Sequence, residues 1–158
     1  MRSLLATLAM SAILAACGQG ARPGADAAAG DGGARLAHQE YVAAINSNNL
    51  EALVPVLTDD VVFMSAGEPA VVGKAAVSRW LAASLQHFRT HWDKPVQELV
   101  VSGDWAFERA TYHSQDTPIA GGPVAEGSGW SLVVYHREAD GQWRVARDAW
   151  GPDHAATP

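Results

Sequence analysis

The segment WRVARDAW, residues 143–150, sets a carboxylate, Asp148, two residues before an indole, Trp150. On a strand, residues two apart share a face. Arg144, Ala146, Asp148 and Trp150 then form one side, and Trp143, Val145, Arg147 and Ala149 the other. A carboxylate beside an indole in an apolar cavity loses hydration and holds its proton more tightly. Such a group suits a general base or a hydrogen-bond anchor. The alternative is a structural Asp tied to backbone N–H groups or to an arginine. DWAFERATYH, residues 104–113, also has two faces. Ala106, Glu108, Ala110 and Tyr112 oppose Trp105, Phe107, Arg109, Thr111 and His113, and a one-residue slip exchanges them. If Glu108 and Asp148 meet across one cavity, the two carboxylates share a proton and titrate apart. They would then be an acid/base pair or the polar end of a ligand pocket. A Glu108–Arg ion pair is the competing arrangement.

Other reactive groups point less clearly. His87 and His91 stand four apart in a helical stretch, a spacing two metal ligands can use, but no Glu follows His87 as in a zinc protease. On a helical wheel both fall off the centre of the apolar face. His38, His113 and His136 add no ligand spacing. Neither a metal nor a cofactor is expected. The one cysteine, Cys17, follows an apolar run, Leu4–Ala16, that is interrupted only by Thr7 and Ser11. The run is signal-peptide length and short of the roughly 18 residues that span a bilayer. Its end, Leu14-Ala15-Ala16-Cys17, resembles the lipobox of bacterial lipoproteins. That resemblance implies cleavage before Cys17, a diacylglyceryl thioether and an acylated amine. Each buried methylene contributes about 0.8 kcal/mol, so two or more chains hold firmly where one holds weakly. An ordinary secretory signal with an incidental Cys is the alternative. The thiol is then not a catalytic group, and the domain is expected outside the cytoplasm, on the cell envelope.

These side chains need elements to place them. GQGARPGADAAAGDGG, residues 18–33, has no aromatic or β-branched residue to bury. It reads as a flexible tether with a reach of roughly 20–25 Å. Leu36, Ala37, Tyr41, Ala44 and Ile45 recur at helical spacing. Asn49 can cap a short helix over Leu50–Leu57. Thr58-Asp59-Asp60 reads as a turn, Val61–Met64 as a strand and Gly67–Pro69 as a loop. Lys74–His91 reads as the longest helix, with Val77, Trp80, Leu81, Leu85 and Phe88 on its apolar face. Strands follow at Val96–Val101 and Trp105–Gln115. Asp116–Gly129, with four glycines and two prolines, reads as a loop. Trp130–Arg137 and Gln142–Trp150 form a hairpin around Ala139-Asp140-Gly141. Helices first and an antiparallel meander after them predict an α+β fold, a cone-shaped curved sheet around a long helix with one open mouth.

EYVAAINSNNLEALVPVLTDDVVFM, PAVVGKAAVSRWL, DWAFERATY and DGQWRVARDAW, in that order, resemble the nuclear transport factor 2-like superfamily. More narrowly they are similar to its small SnoaL-like bacterial members, over about Leu36–Trp150. The resemblance says little about function, because this fold hosts isomerases, dehydratases, hydrolases, binding modules and oligomerisation domains. Ketosteroid isomerase, the best-understood enzyme on it, uses an Asp base, with a Tyr and a protonated Asp on the oxyanion. Its Tyr matches Tyr41, but its base falls at Ser65 and its protonated Asp at Val133. Serine does not abstract a carbon-bound proton unaided, so steroid isomerisation is argued against. The same comparison puts Ala146, Asp148 and Trp150 on the concave side. The family pattern of a small residue at Ala110 favours Glu108 and Tyr112 inside. If Tyr135 looks inward, Trp130, Leu132 and Val134, joined by Trp143 and Val145, cover the outside of the sheet. Such a patch is an interface, and the superfamily commonly pairs sheets there in a homodimer.

Seventeen acidic against eleven basic residues, a net charge of −6, with no Lys/Arg cluster, argue against nucleic acid. The organisation expected is a signal peptide over 1–16, a lipidated Cys and linker over 17–33, the domain over 34–152 and a tail over 153–158. The function expected is binding of a small, partly apolar molecule in a pocket lined by Tyr41, Trp80, Glu108, Tyr112, Asp148 and Trp150. A cofactor-free lyase or isomerase using Asp148 and Glu108 is the second reading, and a structural dimerisation module the third.

Overall fold

The computed structural model describes residues 23–153. The expected signal peptide over 1–16 and the expected lipid-bearing Cys17 lie outside the described residues. Helix α1 spans Pro23–Asn46, α2 Leu50–Leu53, with a 3-10 turn over Val54–Val56, and α3 Lys74–His87. The strands are β1 Leu57–Ser65, β2 Val71–Val72, β3 Phe88–Asp93, β4 Val96–Ser102, β5 Trp105–Pro118, β6 Ala125–Arg137 and β7 Trp143–Pro152. They form one curved sheet in the order β2-β1-β7-β6-β5-β3, with β4 also on β5. The fold is α+β. The sheet is mixed rather than a pure meander, because β1 and β7 run parallel. No described helix is long and apolar enough to cross a membrane.

The core lies between α1, the start of α3 and the concave face of the sheet. Tyr41, Leu53, Leu57, Val61, Phe63, Val77, Val133, Tyr135 and Val145 are buried there. β5 buries Ala106, Glu108, Ala110, Tyr112 and Ser114, exposes Trp105, Phe107, Arg109, His113 and Gln115, and leaves Thr111 half-buried. That is the face the sequence favours.

Several boundaries differ from the sequence reading, each for a physical reason. The tether expected over Gly18–Gly33 is helical from Pro23 onward, consistent with its alanine content. The helix continues into packing at Gly33, where a Cβ would stand 2.7 Å from Nε1 of Trp143. Glycine is what lets that indole lie against the helix. The turn expected at Thr58–Asp60 is an irregular part of β1, where the pairing with β7 shifts between Leu57 and Val62. Asp60 is held there by the Thr58 hydroxyl and then by Arg147, which push its carboxyl below the usual range. β2, two residues long, lies just beyond the stretch expected to be a loop.

The long helix ends at His87, and Phe88–Asp93 is a strand on β5. His87 and His91 are therefore not on one helix turn, and the spacing that suggested a ligand pair is absent. The strand outcompetes the helix because two asparagines complete its free edge. Asn46 donates to the Trp92 carbonyl at 2.9 Å and accepts from its N–H at 2.7 Å. Asn48 does the same at Thr90, at 3.0 and 2.7 Å. These side-chain amides stand in for a neighbouring strand on an edge that would otherwise be unpaired. Asn48 sits at φ +51°, a left-handed conformation that asparagine tolerates better than most residues. Asn49 caps α2 by accepting from the Glu51 N–H.

The expected loop over Asp116–Gly129 narrows to residues 119–124, because β5 and β6 pair from Asp116↔Ala125 onward. β7 carries the other correction. Pairing with β6 slips between Val134/Tyr135 and Arg147/Val145, leaving Ala146 as an extra residue. This bulge reverses the alternation upstream of it. Val145 is buried and Trp143 packs against the core, so neither joins the outer apolar patch. Trp130 and Leu132 remain outside, with Trp105 and Phe107.

Candidate functional site

The concave face and the helices enclose a cavity of about 380 Å³. α1 and the turn after it supply Tyr41, Ile45, Asn48 and Asn49. β1 supplies Phe63 and Ser65, and α3 supplies Trp80, Leu81, Ser84 and Leu85. Phe88, Thr90 and Trp92 come from β3, Asp116 and Ala125 from β5 and β6, and Asp148 and Trp150 from β7. The walls are aromatic. Phe63 meets Trp80 and Trp150 edge-on at ring-centroid distances of 6.2 and 5.8 Å, and Trp92 meets Trp150 at 6.2 Å. These are favourable edge-to-face separations. Trp80 remains 44% exposed, which puts it at the mouth.

Asp148 is the polar centre of the floor. Its Oδ2 accepts from the Tyr41 hydroxyl at 2.7 Å, and the ammonium of Lys94 stands 3.5 Å from the same oxygen. Its Oδ1 accepts from Ser131 at 3.3 Å. Both charged side chains are buried, Lys94 fully and Asp148 with 4% of its side chain exposed. Lys94 lies behind the lining, with its Nζ 5.4 Å from the ring centres of Tyr41 and Trp92. Burial, then the Asp148 charge and hydrogen bond, push the Tyr41 hydroxyl well above its ordinary value near 10. Tyr41 therefore stays a neutral donor toward Asp148.

A second buried cluster lies on the concave face. Glu108 has no exposed surface, and its Oε2 accepts from the Tyr135 hydroxyl at 3.1 Å. His38 brings Nδ1 to 2.9 Å from the same oxygen, but out of line for a hydrogen bond. Oε1 has no partner among the described residues. Burial and the Glu108 charge raise the Tyr135 hydroxyl well above 10. His38 and Tyr41 are one helical turn apart on α1, so one face of that helix serves both clusters.

Of the residues expected to line a pocket, Tyr41, Trp80, Asp148 and Trp150 come together around the cavity. Glu108 and Tyr112 do not line it. Glu108 points from β5 into the Tyr135–His38 cluster, and Tyr112 stacks on Trp92 at 4.7 Å instead of facing the cavity. The Glu108–Arg pair is not formed either: the neighbouring Arg109, on the outer face, binds Glu98 and Gln97. Ser65, at the isomerase base position, lines the cavity, and Val133 is in the core. Sequence reasoning missed Lys94, Ser131, Trp92 and Asp116. For Lys94 the available signal was its place two residues after Trp92, on the same side of an extended chain. Among the described residues no group of three or more His, Cys, Asp or Glu side chains is placed to hold a metal ion.

Comparison with known proteins follows the same lines. Among curated proteins none matches the chain. A conserved protein from Planctomyces limnophilus is 27% identical, with a TM-score of 0.72, over 78% of this chain and 96% of its own. A ketosteroid isomerase-like protein from Erwinia carotovora atroseptica is also 27% identical, with a TM-score of 0.70 and the same coverage. A nuclear transport factor 2-like superfamily protein from Salmonella enterica shares the fold at 12% identity, with a TM-score of 0.71, over 82% of this chain and 95% of its own. The SnoaL-like domain model matches residues 38–146. With that match over more than half its length, the chain belongs to the SnoaL-like domain family.

Proposed function

We propose that the domain binds a small, partly apolar molecule in the cavity. The observation that carries this is the cavity itself: about 380 Å³, walled by aromatic and aliphatic side chains, with Tyr41 and Asp148 converging at one end. Volumes of roughly 300–1,000 Å³ with a few convergent polar groups are typical of small-molecule sites. A purely structural module would fill this space with side chains.

The second reading is a cofactor-free lyase or isomerase. What favours it is a buried carboxylate facing the cavity, with a phenol held in its neutral form beside it. It draws on Asp148 and Tyr41 alone, because Glu108 is outside the lining. Asp148→Asn leaves Lys94 without its carboxylate, so it is scored on protein shown to be folded by circular dichroism: on both readings ligand still binds, and on the enzyme reading turnover is abolished.

The outer face of the sheet supports a homodimer. Trp105, Phe107, Trp130 and Leu132 are each more than 40% exposed, and Phe107 neighbours Val134 across the strands. Native mass spectrometry of the purified protein tests binding and assembly together. The expected result is a two-subunit species carrying a co-purifying small molecule in fixed stoichiometry. A bare monomer that takes up no ligand from a small-molecule panel would sink both readings.

The Leu-Ala-Ala-Cys ending supports attachment to the cell envelope through lipid on Cys17. Cys17→Ser is expected to move the protein from the membrane fraction to the soluble fraction, with loss of the acyl mass on the amino-terminal peptide. Unchanged fractionation would overturn the anchor.

A further inference from the structure

The charges around the cavity narrow the class of ligand, an inference that rests on the binding reading above. Its lining carries two carboxylates, Asp148 at the floor and Asp116 beside Thr90. Among the described residues no Lys, Arg or His lines it. The floor acid is balanced by Lys94 at 3.5 Å. Asp116 is not balanced: its carboxylate accepts from the Thr90 hydroxyl, and among the described residues no basic side chain forms an ion pair with it. The cavity therefore carries one uncompensated negative charge, and its lining also holds the aromatic walls built by Phe63, Trp80 and Trp150.

These features act in the same direction. Aromatic faces are electron-rich and attract cations. A ligand anion would meet both Asp116 and those faces. A neutral ligand would strip water from Asp116 and return nothing for its charge. We propose that the cavity takes an organic cation: an apolar or aromatic body with an amine or quaternary ammonium. The body packs against the aromatic wall of Trp80 and Trp150, and the charge is directed toward Asp116. Lys94 fixes this polarity. Its ammonium behind Tyr41 and Trp92 repels a second cation from the floor and leaves Asp148 and Tyr41 for neutral polar groups.

The test uses three probes with one ring body: 2-naphthylmethylammonium, 2-naphthylmethanol and 2-naphthoate, titrated into the purified protein by calorimetry at neutral pH. The ammonium is expected to bind about tenfold tighter than the alcohol, the sum of a cation–π contact and a half-exposed ion pair. The carboxylate is expected to bind weakest. Asp116→Asn is expected to cut the ammonium's advantage over the alcohol to the roughly two- to fourfold left by the cation–π contact. An alcohol that binds as tightly as the ammonium overturns the proposal and leaves the binding reading standing. So does an ammonium preference left undiminished by Asp116→Asn, since the charge would then be read elsewhere. Failure of all three probes to bind overturns both.

Discussion

Lys94→Met is expected to lower the stability of the domain by about 3–5 kcal/mol, the usual result of removing one partner from a buried ion pair. Lys94 has no exposed side-chain surface, and 96% of the Asp148 side chain is inaccessible. The loss comes less from the missing attraction, at 3.5 Å, than from the charge left behind. Asp148 would keep the hydroxyls of Tyr41 and Ser131 but no cation, in a site walled by rings. The reverse change, Asp148→Leu, strands the ammonium between Tyr41 and Trp92 and is expected to cost a similar amount. The double variant should recover much of the loss, because an apolar pair of similar volume removes both desolvation penalties. Urea denaturation of the three variants forms the cycle. A loss below about 1 kcal/mol in Lys94→Met would mean that water reaches the pair and that the floor is not sealed.

The second large effect is alkaline. Tyr41 and Tyr135 both have hydroxyls pushed well above 10, chiefly by burial and then by Asp148 and Glu108 respectively. The unfolded chain releases these protons near pH 10. Above that pH the native state holds more protons than the unfolded state, so stability is complete below about pH 10 and falls as pH rises. Two groups give a slope of about 2.7 kcal/mol per pH unit. Unfolding followed by circular dichroism should therefore be steep above pH 10. The phenolate absorbance of two of the three tyrosines should appear with that transition. Tyr41→Phe should remove one of the two and halve the slope. Three phenolates rising gradually while the fold persists would refute the sealed environment of both hydroxyls.

Much of the fold was legible because it is written in local periodicity. The alternation in Trp105–His113, the stripe of α3 from Val77 to Leu85 and the β6–β7 hairpin are present in the structure, while Phe88, read as the end of that stripe, is on β3. What was not legible depends on partners far along the chain. Phe88–Asp93 continues a helical-looking run, and only Asn46 and Asn48, more than 40 residues away, make it a strand edge. The Ala146 bulge leaves no mark in WRVARDAW, yet it turns Val145 and Trp143 inward. The candidate site divides the same way. Tyr41 and Asp148 were readable one at a time, but their bond spans 107 residues. Glu108 was readable as an inward carboxylate, and its separation from the cavity was not, because that follows from where His38 and Tyr135 stand. Lys94 sits in an Asp-Lys-Pro stretch that looks like a solvated turn. Its burial is a property of the rings that close over it.

Helix α1 has one further consequence. Gly33 lies against Trp143, near the β6–β7 hairpin, whereas Tyr41, Asn46 and Asn48 lie at the cavity and its edge strand. The helix thus runs from the base of the cone toward its mouth, and Pro23 stands about 27 Å of helix away from Tyr41. Anything fastened ahead of Pro23 grips the domain by its base. A lipid on Cys17, as proposed, would then be joined to the domain through the end of α1 remote from the cavity, and not through the elements that line the opening.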